Sequence, residues 1–367
     1  MNKNDTSKYN ENKIENIKEN PREINNENII LGRIKIQNNN LKQRIINSFE
    51  NSKNSNEYMS IYEIQGLENE EEIKKCEIYI NNKKINFCYE YDFPKEAIYT
   101  IKYVFKRPLL STSHLFNQCN SIISLDLSKF NTSQVINMAS MFNDCNSLEV
   151  LDLANFNTKK VCNMCSMFGR CKLLKIIDLS TFNTEKVINM SSMFDNCSSL
   201  ISLDLSNFNV EKVEEMEYIF SACESLTSLD LSNFNTENAI YLEYMFAGCN
   251  SLISLKFPRF KTHRAINMAC MFSGCCSLME LDLSHFNTEN VKSTQCMFYM
   301  CKSLISLDFS NFKINNLENM EYMFYNCYSL LFLNIPNEIT EHEILMDCCI
   351  KGCNSLIYKI ASKYNNN

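Results

Sequence analysis

The chain has 367 residues, 45% hydrophobic and 22% charged, which is enough apolar material for two or three folded units. Six glycines form neither G-x-G-x-x-G nor G-x-x-x-x-G-K-[ST], and four scattered histidines (His114, His263, His285 and His342) form no H-E-x-x-H pair, so dinucleotide enzymes, P-loop NTPases and His-rich metal centres are disfavoured. The net charge is −7, and residues 109–360 carry 17 basic against 26 acidic side chains, which argues against wholesale nucleic-acid binding.

Residues 1–56 hold 16 Asn among many Lys, Glu and Ile, a polar low-complexity composition that predicts a disordered leader. Within it Leu41, Ile45, Ile46 and Phe49 share one helical face, so a short amphipathic helix near 41–50 competes with a transient helix in a tail. The start Met1-Asn2-Lys3-Asn4-Asp5 leads into no apolar run, and no stretch of 18 apolar residues occurs, so neither a signal peptide nor a membrane span is expected. Asn2 and the tail at 361–367 carry no lipidation motif, and a cytoplasmic location is expected. The 19 Cys are then expected to be mostly free thiols.

Residues 57–108 switch to alternation: Cys76, Ile78 and Ile80, then Asn81-Asn82, then Ile85, Phe87 and Tyr89, then Ile98 to Phe105. This predicts strands in a small β unit with Asn81-Asn82 as a tight turn. From 109 to 360 the chain repeats without insertions. A Phe and the Cys three residues beyond it recur from Phe116 and Cys119 to Phe324 and Cys327, then Ile350 and Cys353, every step being 26 residues. In the copy at 193–218 the apolar positions are Met193, Phe194, Cys197, Leu200, Leu203, Leu205, Phe208, Val213 and Met216. Its L-x-x-L-D-L segment matches the strand half of a leucine-rich repeat, with Leu203 and Leu205 inward and Asp204 outward. One such coil cannot bury its flat faces alone, so the array needs neighbours and two caps. The β unit is the expected N-terminal cap, and the eroded last coil, with Glu338 in place of Phe, the C-terminal one.

The pattern M-F-x-x-C-x-S-L-x-x-L-D-L-S-x-F-N-T-x-x-V-x-x-M at this period resembles the BspA-like leucine-rich repeats, the 26-residue bacterial surface protein repeat. The resemblance implies an α/β-type, right-handed leucine-rich-repeat solenoid of about nine coils, used for adhesion or protein binding, with no catalytic residues to carry over.

Asp126, Asp152, Asp178, Asp204, Asp230, Asp282 and Asp308 fall at one outward strand position, about 4.8 Å apart between adjacent strands. Such a file is either an acidic stripe for a basic partner or cations, or a set of carboxylates answered by neighbouring Ser and Asn side chains such as Ser206 and Asn207, the repeat motif simply requiring Asp there. The sixth coil breaks the file with Lys256, Arg259, Lys261, His263 and Arg264 together, which marks either a local anion or recognition spot or drift in one copy. The Cys ladder beside inward Leu and Phe reads as core. Cys162-x-x-Cys165 with Cys171, and Cys270 with Cys275, Cys276 and Cys296, offer only weak zinc spacings. Glu217-Tyr218, Glu243-Tyr244 and Glu321-Tyr322 recur opposite the strand, as a second surface or as solvated coil edges.

The sequence thus predicts a non-enzymatic scaffold, without cofactor or metal, whose concave strand face of roughly 43 Å binds a protein partner through the Asp file, with Lys256, Arg259, Lys261 and Arg264 setting register. An exported adhesin or host-interaction protein is the alternative, and a thiol-rich metal or redox protein the third. Partner identity and oligomeric state stay open.

Overall fold

The computed structural model describes residues 28–37, 40–53, 69–313, 315–335, 349–353 and 356–360. The expectations for residues 1–27 and 54–68, for Glu338 and for the tail at 361–367 fall outside the described residues.

The leader expected over 1–56 does not keep that character from Asn28 onward. Strand β1 (Asn28–Ile36) alternates buried and half-buried residues, with Ile30, Ile34 and Ile36 in the core. Its period-two apolar pattern lies inside an Asn-rich composition, and burial against two neighbours outweighs that composition. Nor does the helical spacing of Leu41 to Phe49 make a helix. Lys42–Arg44 is strand β2, Ile45 and Ile46 are fully buried, and a short helix α1 begins at Phe49 and ends at Lys53.

Helix α2 (Glu70–Ile73) precedes β3 (Glu77–Ile80) and β4 (Lys83–Ile85), a hairpin closed by Asn81 at φ 47° and Asn82 at φ 64°. Two successive left-handed residues give the turn whose twist suits a two-residue hairpin, as the Asn pair predicts. Strand β5 (Glu90–Asp92) pairs with β2, and β6 (Ala97–Phe105) runs antiparallel to both β3 and β1. Strand β1 then pairs with β7 (Ile122–Asp126), the first strand of the repeat region, which in turn pairs parallel with β8 (Val150–Asp152). The order β4-β3-β6-β1-β7-β8 makes one sheet of the N-terminal unit and the first coils. Gly32 stands where β1 is squeezed, since a Cβ there would lie 2.9 Å from Leu125 and 3.2 Å from the Ser124 carbonyl.

Beyond this point the L-x-x-L-D-L side is paired only in places: β9 (Ser228–Asp230) with β10 (Ser254–Lys256), and β11 (Ser306–Asp308) with β12 (Phe332–Ile335) and β13 (Ile357–Ile360). The unbroken ladder lies on the other side of the coil. Parallel bridges run Ser111, Asn137, Asn163, Asn189, Glu215, Tyr241, Asn267, Ser293, Asn319. Around each bridge every second amide reaches the next coil, as when Met138, Ser140, Phe142 and Asp144 donate to the carbonyls of Asn163, Cys165, Met167 and Gly169 at 2.8–2.9 Å. Aiming alternate amides the same way takes left-handed residues at fixed places: Ser140 and Asp144, then Ser192 and Asn196, all with φ of 54–59°. The sequence reading placed the regular sheet on the strand side, because the turn-like M-F-x-x-C segment has no strand alternation.

Inside, identical residues stack. Phe116 to Phe324 form a column of near-parallel rings, 6.0 Å apart at its start and 5.5 Å at its end, and Phe156, Phe182 and Phe208 form a second. Buried Thr hydroxyls join coils too: Thr158 Oγ1 donates to the Asn183 carbonyl at 2.8 Å and accepts the Asn183 amide at 2.7 Å. The Cys column does similar work. Cys197 Sγ donates to the Phe168 carbonyl at 3.1 Å, and the contact recurs from Cys145 to Phe116 through Cys353 to Phe324. A thiol fills the space of a small hydrophobe while supplying one donor to a buried carbonyl.

Left-handed backbone costs a residue with a Cβ more than it costs glycine. Ala222 lies at φ 52°, while the corresponding positions in the next two coils hold Gly248 and Gly274. Ala222→Gly should therefore stabilise the fold by about 0.5–1 kcal/mol. A thermal melt followed by circular dichroism checks this; a lower melting temperature would show that the left-handed position carries no strain.

Candidate functional site

The strand side carries the Asp file, and each of its seven members has the same local task. Asp126, Asp152, Asp178, Asp204, Asp230, Asp282 and Asp308 each accept, through Oδ1, the amide two residues ahead at 2.9–3.0 Å. The carboxylate closes the turn that ends the strand. The backbone N–H is the partner common to all seven, and Ser and Asn side chains add to it as the sequence suggests, with Ser310 Oγ at 2.6 Å and Asn334 Nδ2 at 3.2 Å both donating to Asp308. Asp230, Asp282 and Asp308 are held below the usual carboxylate range, first by the hydroxyls of Ser232, Ser284 and Ser310 and then by the backbone N–H groups of the same residues. Asp126 and Asp152 are half-buried and the five from Asp178 onward are exposed, so the file presents negative charge mainly in its later coils.

The basic residues of the sixth coil are not gathered at one spot. Lys256 Nζ lies 3.9 Å from Asp230, Lys261 Nζ 3.2 Å from Glu237, and Arg264 Nη1 donates to Asn238 at 2.8 Å. Three of these cations are thus answered by the preceding coil. Arg259 and Lys261 line an open depression with Asn209, Asn235 and His285, while Arg264 lines another beside Ile240 and Lys292. His285 is held between Phe257 and Phe286, its Nε2 buried without a hydrogen-bond partner, and burial lowers its pKa. His263 contributes its carbonyl to Asn290.

The thiols behave as core groups. Burial pushes Cys197 and Cys249 up to about 12, so the thiolate that metals and electrophiles require is suppressed. Cys162 Sγ donates to the Ile136 carbonyl, and Cys165 accepts from Ser191 Oγ at 3.1 Å. No group of three or more His, Cys, Asp or Glu among the described residues is arranged to hold a metal ion.

The Glu-Tyr pairs opposite the strand are not plain solvated edges. Tyr218 and Tyr244 stack with ring centroids 4.6 Å apart, and Oε2 of both Glu217 and Glu243 is buried without a hydrogen-bond partner. Glu215, at a ladder position, is 7% exposed and accepts a hydrogen bond from Asn189 Nδ2. Burial, reinforced by Glu217, raises Glu215 to about 8; burial likewise raises Glu217 to about 7, with Glu243 adding to it. In the last pair Glu321 and Tyr322 are exposed.

The sequence reading missed one surface feature. The position after the buried Leu of the strand segment points outward and is apolar in the later coils: Ile201, Ile253, Met279, Ile305 and Leu331 are all exposed. The earlier coils have a half-buried Ile123, then Glu149 and Lys175 there, and Thr227 interrupts the row after Ile201. Comparing one column across copies shows the change; a single copy hides Ile201 among core residues.

Stacked coils of L-x-x-L-D-L segments define a leucine-rich-repeat solenoid. The family described as "Mycoplasma protein of unknown function, DUF285" matches residues 107–199, 172–276 and 229–332, and the chain belongs to that family. Its repeats are of the BspA-like kind. A leucine-rich repeat protein from Bacteroides ovatus is 19% identical, with 75% of this chain and 66% of that one covered and a TM-score of 0.37. A leucine rich cell surface protein from Faecalibacterium prausnitzii is 15% identical, with 67% and 74% covered and a TM-score of 0.27. This chain spans 66% of the Bacteroides protein's length. No curated protein matches the chain. The cytoplasmic location expected from the sequence is corrected by the Faecalibacterium neighbour, described as a cell surface protein. No helix among the described residues is long and apolar enough to cross a membrane.

The buried carboxyls set a pH dependence. Because Glu215 and Glu217 titrate near 8 and 7 in the fold but near 4.5 when unfolded, the folded chain holds more protons between those values and its stability falls as pH rises. His114, lowered to about 4 by burial, acts in the opposite sense, but only below its unfolded value of 6.5. The melting temperature should therefore drop from pH 6.5 to 8.5, and Glu215→Gln with Glu217→Gln should flatten that slope. An unchanged slope in the double variant, measured by calorimetry, would contradict the assignment.

Proposed function

We propose that the chain is a non-catalytic scaffold that binds a protein partner at the cell surface through the concave strand face of its solenoid. The supporting observation is the file of exposed Asp side chains repeated at one position of successive coils, on a side where backbone pairing is only partial. A fixed row of charges on a preformed surface recruits a partner of opposite charge and sets its register. Asp178, Asp204, Asp230, Asp282 and Asp308 attract basic groups, with Asp126 and Asp152 at the less exposed end. Lys256, Arg259, Lys261 and Arg264 interrupt the stripe and fix alignment.

In this reading about nine 26-residue coils between 109 and 360 form the binding array. The antiparallel sheet built from β1, β3, β4 and β6 closes the N-terminal end of its core. The surface location follows the Faecalibacterium neighbour and the family resemblance. The partner's identity and any adhesive role belong to the same proposal.

Charge must be removed without breaking the turns, so the informative variant is Asp178→Asn, Asp204→Asn and Asp230→Asn together, which keeps each Oδ1 acceptor. Capture of surface proteins by the immobilised chain should fall several-fold while the melting temperature holds, and undiminished capture removes the Asp file from the account. Labelling of intact cells with a membrane-impermeant reagent should tag the protein; a protein labelled only after lysis is not at the surface.

A further inference from the structure

The Asp file lies beside the exposed apolar row, and together they describe a partner more closely than charge alone. In the later coils Ile201 is 49% exposed, Ile253 54%, Met279 46% and Ile305 40%, and Leu331 continues the row. Thr227 separates Ile201 from Ile253, Met279, Ile305 and Leu331, which occupy four consecutive coils; isolated exposed apolar residues are ordinary, whereas an aligned run over successive coils marks a contact surface. Three residues further along stand Asp204, Asp282 and Asp308, with Lys256 beside Ile253, Asn334 beside Leu331 and Asp230 in the coil of Thr227. The acid lies on one flank of the row. On the other flank the positions two residues before the row are mostly uncharged, Ser199, Ser251 and Ser277 among them.

We infer that this face seats a cationic amphipathic helix, its apolar stripe on the row from Ile201 to Leu331 and its Lys or Arg residues on the flank facing the Asp file. The inference rests on the strand-face reading and adds the chemistry of the occupant. Two dimensions favour a helix lying along the solenoid axis. Successive coils are about 4.8 Å apart, close to the 5.4 Å between turns of an α-helix, so a stripe at i, i+4, i+7 and i+11 meets one row residue per turn. An extended segment repeats its side chains on one face every ~6.6 Å and drifts out of step within a few coils. Five spacings from Ile201 to Leu331 make about 24 Å, which a helix of roughly 16 residues spans. Lys256 stands where an Asp would otherwise be and is turned toward Asp230. It leaves one turn of the partner without an acidic counterpart and fixes which turn meets which coil.

The test uses the full chain and an 18-residue peptide with a Leu stripe and Lys on one flank, against a scrambled peptide of identical composition, by fluorescence anisotropy. The patterned peptide should bind at least tenfold more tightly than the scrambled one. Ile253→Ser, Met279→Ser and Ile305→Ser together should abolish that preference, while Ile188→Ser, an exposed apolar residue elsewhere, should leave it intact. Asp204→Asn, Asp282→Asn and Asp308→Asn should weaken binding several-fold and flatten its salt dependence. Equal binding of both peptides, or an unaffected serine variant, overturns the inference. So does an alternating extended Leu-Lys peptide that binds better than the helical one. If partner capture still depends on the Asp file while the serine variant captures normally, the helix inference falls and the strand-face reading stands; if neither variant changes capture, both fall.

Discussion

Each coil must satisfy the backbone of the next at an offset of 26 residues, and the rest of the structure follows from that register. On the M-F-x-x-C side alternate amides bond three residues back within their own turn, as Met141 does to Met138, while the others find their partner in the neighbouring coil, so that every second N–H is aimed along the axis. Once that offset is fixed, like residues superpose: Phe on Phe, Thr hydroxyl on the next backbone, Cys thiol on the preceding Phe carbonyl. An inserted residue would break all of these columns in one coil, which explains the absence of insertions over the repeats. The price is paid in left-handed backbone, at two positions in most coils.

Much of this was legible in the sequence because the period is strict. The repeat, the inward Leu, Phe and Cys positions and the Asn81-Asn82 turn follow from spacing alone. What was not legible lay where composition and local pattern mislead. Strand β1 sits in an Asn-rich stretch, yet its Ile alternation is enforced by burial between β6 and β7. Leu41, Ile45, Ile46 and Phe49 have helical spacing, yet β5 draws Lys42–Arg44 into a strand. The main ladder was invisible because its segment resembles a string of turns. The buried acids Glu215 and Glu217 read as surface charge until packing places them against Asn189 and Glu243.

The candidate site was half legible. The Asp file stood out, but its main work is turn closure, a bond to the backbone that no spacing announces. The basic coil also stood out, and the structure spreads its cations over separate surroundings, three of them answered locally. The apolar row from Ile201 to Leu331 was masked because Ile is expected inside a leucine-rich repeat. These observations divide the labour between the two sides of the coil. One side holds the stack together, and the other, relieved of continuous pairing, is left to present side chains to a partner.

That division is tested most directly by native-state amide hydrogen exchange. The ladder amides of Met138, Ser140, Phe142 and their counterparts in later coils should be the slowest in the protein, opening only with global unfolding. The amides of Ser202 and Leu203, where strand pairing lapses, should exchange orders of magnitude faster. Equal protection on the two sides, or slower exchange on the strand side, would contradict the account.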